Sequence, residues 1–227
     1  MSQTPTDGYA FDEGIPIEPI EPGTTVLVAG PALSSAESLV RSLVTQGTKL
    51  DEGSLFISTN MTTEKLLKAC RRTNPELETA LTGVIDCSGQ EPKPSELDAA
   101  VKYVSTQSDL TGIGMKFSAL YESLYADAAD GRVRSGLISL SSLAMYVDLR
   151  KLFQFAQTLS GRIDSADGLG VFAIDPTTHD ERTVNTLGQV ADGRIEVREY
   201  DDDSVDGELR IRGLPDQPSG WQPFSLS

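Results

Sequence analysis

Six short apolar runs, each separated from the next by a stretch of helical period, constrain this chain more than anything else in it. The run at residues 24–29 ends at Gly30-Pro31, and Leu39, Val40, Leu43 and Val44 then recur with helical spacing. The pattern repeats with a run at 54–58 and a helix at 62–72 that places Leu66, Leu67 and Cys70 on one face. Further runs fall at 83–87, 137–143, 168–175 and 194–198. Between them the spacing predicts helices at 95–104, 115–129, 148–165 and 178–190, with residues 105–114 as a polar loop. Strands alternating with helices of this length require a mostly parallel sheet covered on both faces, so the fold class is α/β. Residues 208–212 and 221–226 follow without helices and are expected, with 194–198, to extend the sheet as antiparallel neighbours.

Residues 1–22 are rich in Pro, Gly and acids and lack a sustained period, so they read as a flexible lead-in to a single domain at 23–227. No apolar stretch reaches the roughly 18 to 20 residues of a membrane span, and residues 1–22 lack the basic and apolar regions of a secretory signal. A cytoplasmic protein is expected. Cys70 and Cys87 have neither disulfide nor metal-site spacing and read as small buried hydrophobes.

With 34 acids against 19 bases, the net charge of −15 argues against direct nucleic-acid binding, which depends on cations meeting phosphates. The 12 Arg and 7 Lys add a second sign: acid-rich, lysine-poor surfaces suit concentrated salt, where a Debye length of about 3 Å screens self-repulsion.

In an open α/β sheet, phosphate is held by the turn after the first strand. That turn includes Gly30, Pro31, Ser34, Ser35, Ala36 and Glu37. Against the phosphate-loop pattern G-x-x-x-x-G-K-[ST], only Gly30 matches. Ser35 stands for the second glycine, Ala36 for the lysine and Glu37 for the magnesium-binding hydroxyl; Ser38 reaches that last place only with one extra residue.

The segments 22–31, 56–59, 162–175 and 208–213, in this order, resemble the RecA-like ATPases of the KaiC and archaeal RAD55 group over essentially the whole chain. The resemblance implies a RecA-like fold. It also implies a water-activating glutamate, which falls at Asn60 or Met61, and a Walker B aspartate, which falls at Ile138 or Ser139. Lysine, aspartate and base are all replaced, and phosphoryl transfer rests almost wholly on such positioning and charge. The expectation is a catalytically inactive member, a pseudo-ATPase without catalytic residues, metal or cofactor, that works through a protein partner or self-association. Arg210 and Arg212 match arginines that the group directs at a neighbour's nucleotide, or are edge-strand charges facing the acidic residues 201–203.

The alternatives are a protein that binds or hydrolyses ATP with magnesium, with Lys49 or Lys65 replacing the lost charge, an accessory recombination protein reaching DNA through a partner, and a homodimeric scaffold. His179, near Asp175 and Asp180, reads as a helix-start residue rather than a base or a metal ligand. Ser139, Ser141 and Ser142 lack a G-x-S-x-G elbow and do not mark a hydrolase.

Overall fold

The computed structural model describes residues 8–32, 34–90, 99–200 and 204–226. Nine strands form one sheet: β1 (Thr25–Ala29), β2 (Gly53–Ser58), β3 (Thr82–Asp86), β4 (Ala100–Tyr103), β5 (Val133–Ile138), β6 (Leu169–Ile174), β7 (Gly193–Arg198), β8 (Gly207–Arg212) and β9 (Gln222–Phe224). Their spatial order is β4-β3-β2-β5-β6-β1-β7-β8-β9. Strands β1 to β7 pair in parallel, and β8 and β9 close the sheet antiparallel. The mostly parallel α/β architecture read from the sequence, with antiparallel strands at its carboxyl-terminal end, is the observed one.

Strand alternation splits the core in two. Val26, Val28, Phe56, Val84 and Val171 face α1 (Ala36–Thr45) and α2 (Thr63–Thr73). Leu27, Leu55, Ile57, Leu137 and Phe172 face the opposite layer, which holds α3 (Leu110–Asp127), α4 (Leu140–Ala144), α5 (Leu149–Asp164) and α6 (Glu181–Gly188).

Four local expectations change. The helix predicted at 95–104 ends instead in β4, where Val101 and Tyr103 suit a pleated edge paired with β3; its first half lies outside the described residues. Helix α3 begins at Leu110, inside the predicted loop, because the Asp109 side chain accepts the Gly112 N–H at 2.8 Å and caps the first turn. The predicted strand at 137–143 stops at Ile138, where Ser139 caps α4 by accepting the Ser142 N–H at 3.3 Å. Strand β7 lies parallel to β1, because α6 carries the chain back across the sheet before it starts.

The segment before Gly23 is also not a free lead-in where it is described. Tyr9, Ile15, Ile17 and Ile20 are buried in the α1–α2 core, and Tyr9 and Ile20 exchange both backbone hydrogen bonds, at 2.7 and 3.0 Å. Arg134 of β5 anchors this segment. It is wholly buried, donates to Glu52 Oε2 at 2.6 Å, to the Leu43 carbonyl at 3.0 Å and to the Ala10 carbonyl at 2.9 Å, and lies 5.3 Å from the Tyr9 ring centre. A few apolar side chains spaced irregularly among prolines produce no period, so the sequence pattern hides this burial.

Candidate functional site: the cleft at the strand ends

Strands β5, β6 and β1 are neighbours, and their register brings three loops to one edge. Ala29 pairs with Ile174, so the turn after β1 lies beside Asp175 and the turn after β6. Leu137 pairs with Phe172, which sets Ser139 and α4 on the other side. Together these loops line a cleft of about 610 Å³ at the carboxyl ends of the strands, where α/β sheets bind ligands.

The turn after β1 is tight. A side chain on Gly30 would place its Cβ 2.8 Å from both the Ala36 Cβ and the Ser34 Oγ, so the position needs glycine. Ser34 Oγ donates to the Pro31 carbonyl at 2.7 Å and accepts the Ala36 N–H at 3.3 Å, while Ser35 Oγ donates to the Asp206 carbonyl before β8. Gly30, Pro31, Ser34, Ala36 and Glu37 of the expected loop line the cleft; Ser35 faces the β8 turn instead.

Two carboxylates, Asp175 and Glu37, border the cleft. Asp175 Oδ2 accepts the Ala32 N–H at 2.9 Å, and Oδ1 accepts the Thr177 N–H and hydroxyl at 2.8 and 2.7 Å. Burial pushes the Asp175 carboxyl up, but these hydrogen bonds outweigh it and hold the group below the ordinary carboxylate range. Glu37 accepts from Asn60 Nδ2 at 2.9 Å and lies 3.7 Å from Arg41, whose Nη2 donates to Ser38 Oγ at 2.8 Å. Asn60, one of the two positions implied for the water-activating base, is thus bonded to the position implied for the magnesium hydroxyl.

The two lysines considered as replacements separate. Lys49 follows the far end of α1 and sits 3.5 Å from Asp12. Lys65 of α2 lines a smaller neighbouring cleft of about 260 Å³ with Asn60, which shares Ser142 and Met145 with the first.

Arg210 and Arg212 lie on β8, two strands from β1. Arg210 Nε donates to Glu196 Oε2 at 2.8 Å, and Arg212 Nε lies 3.4 Å from the same oxygen with its side chain 59% exposed. Arg198 and Arg210 both rest on the Trp221 ring, 4.2 and 4.6 Å from its centre. Their acidic neighbour is therefore Glu196 on β7; residues 201–203, expected in that role, lie outside the described residues.

Sequence reasoning missed one pairing altogether. Ser141 Oγ accepts the Asp175 N–H at 2.9 Å and lies 2.9 Å from His179 Nε2, although the two residues are 38 apart in the chain. The only sequence signal was their position just after consecutive central strands. Among the described residues no cluster of three or more His, Cys, Asp or Glu side chains could hold a metal, and no helix is long and apolar enough to cross a membrane.

Comparison with curated proteins finds no match. Among solved structures, a KaiC-like protein from the hyperthermophilic archaeon Pyrococcus horikoshii superposes with a TM-score of 0.66, covering 98% of this chain and 94% of its own. At 13% identity that likeness shows a shared RecA-like fold. A family model matches residues 23–197, and the chain belongs to that family, a family of unknown function designated DUF7504.

Proposed function

We infer that the protein is a catalytically inactive RecA-like domain, a pseudo-ATPase that acts as a regulatory or scaffold protein through contacts with a second protein. The observation that carries this reading is the Asp175 carboxylate on the Ala32 N–H. A backbone donor that would otherwise meet phosphate is filled by the protein's own anion. Glu37 in place of the hydroxyl and Ala36 in place of the lysine remove the remaining attraction for a triphosphate. The acid-rich, lysine-poor composition supports an archaeal cytoplasm rich in salt as its setting. The exposed Arg212 is the group we assign to a partner, either a second copy or an active RecA-like protein.

Thermal unfolding in concentrated potassium chloride, with and without millimolar Mg-ATP, Mg-ADP or GTP, tests the reading. Ligand at 100 times its Kd adds about 2.7 kcal/mol of stability, whereas a dead site leaves the transition unmoved. A nucleotide-specific shift abolished by Lys65→Ala would establish the alternative, an ATP-binding member using the neighbouring cleft.

A further inference from the structure

The Ser141–His179 pair belongs to no phosphoryl-transfer apparatus, and one of the two hydrogen bonds at Ser141 has a fixed direction. The Asp175 N–H can only donate, so Ser141 Oγ accepts there, which leaves the hydroxyl proton free to point at His179 Nε2, 2.9 Å away. A serine pinned by a backbone donor and hydrogen-bonded to an imidazole is the arrangement of a nucleophile with its general base. Both side chains are partly exposed and line the 610 Å³ cleft. Glu37 and Ser38, in the first turn of α1, line it too, and a helix start carries backbone N–H groups without intrahelical partners. Such groups are the donors that stabilise a developing oxyanion.

We propose that this cleft is an acyl-transfer site, with Ser141 as nucleophile and His179 as base, acting on small carboxylic esters. The acyl group is uncharged or cationic, because Glu37 and Asp175 border the cleft, and Met145, Ala173 and Ile174 supply its apolar wall. Ser141 Oγ bonds to the acyl carbon as its proton passes to His179 Nε2. The tetrahedral adduct collapses, and the departing alcohol takes that proton. Water, deprotonated by the same imidazole, then attacks the acyl carbon; the bond to Ser141 Oγ breaks as the imidazolium returns its proton to that oxygen, releasing the carboxylic acid and restoring Ser141. The assignment does not depend on the pseudo-ATPase reading, since neither group holds phosphate in it.

The full chain is treated with a biotinylated fluorophosphonate and, separately, with p-nitrophenyl acetate, alongside Ser141→Ala, His179→Gln and Ser165→Ala, the last outside the cleft. Labelling at Ser141 is expected, with ester hydrolysis falling about 100-fold or more in the first two variants and unchanged in the third. Glutamine keeps a hydrogen-bonding group beside Ser141 but cannot take its proton, so a purely structural pair would tolerate it. If Ser141→Ala does not fold, the labelled peptide of the unmodified chain and the His179→Gln rate decide the matter. Absence of labelling on cooperatively folded protein, labelling at another residue, or full activity in His179→Gln overturns the proposal.

Discussion

The Asp175 carboxylate bridges two loops, accepting the Ala32 N–H at 2.9 Å on one side and two hydrogen bonds from Thr177 on the other. It ties the turn after β1 to the turn after β6. Asp175→Ala leaves three donors without their acceptor and is expected to cost about 1–3 kcal/mol, read as a lower midpoint in urea denaturation. The same variant should still show no Mg-ATP shift, because Ala36 and Glu37 remain.

Acid should weaken the fold in part through three carboxylates held below their ordinary range. For Asp148 the main cause is the Lys151 N–H, for Asp180 the Thr183 hydroxyl and then its N–H; for Asp175, burial opposes the shift but hydrogen bonds from Thr177 and Ala32 prevail. A depressed native pKa contributes stability that is complete above the unfolded value of about 3.9 and disappears as pH falls through the native one. All three lie at the surface, where solvent screens them, so the melting temperature should fall only modestly below about pH 4, and Asp175→Asn should reduce that fall.

Alkali should act on the opposite kind of group. Burial pushes the Tyr9 hydroxyl and the Cys70 thiol up to about 12 each. Both stay protonated in the native state while the unfolded chain ionises, so stability is full at neutral pH and declines once pH exceeds about 9. Melting followed from pH 7 to 11 checks this, and Cys70→Ala should make the decline shallower without moving its onset, because burial raises the Cys87 thiol as well.

The buried pair of Arg134 and Glu52, at 2.6 Å, should be sensitive to the loss of either member. Arg134→Ala leaves the Leu43 and Ala10 carbonyls without their donor and Glu52 with Arg132 alone, and Glu52→Gln removes the carboxylate that balances the buried Arg134 charge; each should cost about 3–5 kcal/mol. The double replacement Arg134→Met with Glu52→Leu should recover much of that loss, and urea denaturation of all three variants compares their stabilities.

Deleting residues 1–22 tests whether the segment before Gly23 belongs to the fold. Tyr9 is fully buried and donates its hydroxyl to the Asp167 carbonyl at 2.9 Å. Tyr9→Ala alone should cost about 3 kcal/mol, as for other large aromatic truncations. The deletion should destabilise more, because Ile15, Ile17 and Ile20 leave the core with it; equal melting temperatures for the full and shortened chains would refute the assignment.

The sequence by itself determined the α/β class, the parallel core and the closing antiparallel strands. Runs such as Val26-Leu27-Val28 and the helical spacing of Leu39, Val40 and Leu43 are periodic, and period is a local property that survives without coordinates. It also located the loop from Gly30 to Glu37, in which only Gly30 matches the phosphate-loop pattern. Only the tertiary structure decided what those replacements touch. Neighbouring β1 and β6 put Asp175 on the Ala32 N–H, neighbouring β5 and β6 put Ser141 beside His179, and a buried arginine drew an aperiodic segment into the core. These contacts join residues 38 to 143 positions apart. They depend on strand order and register, which no local pattern of residues encodes.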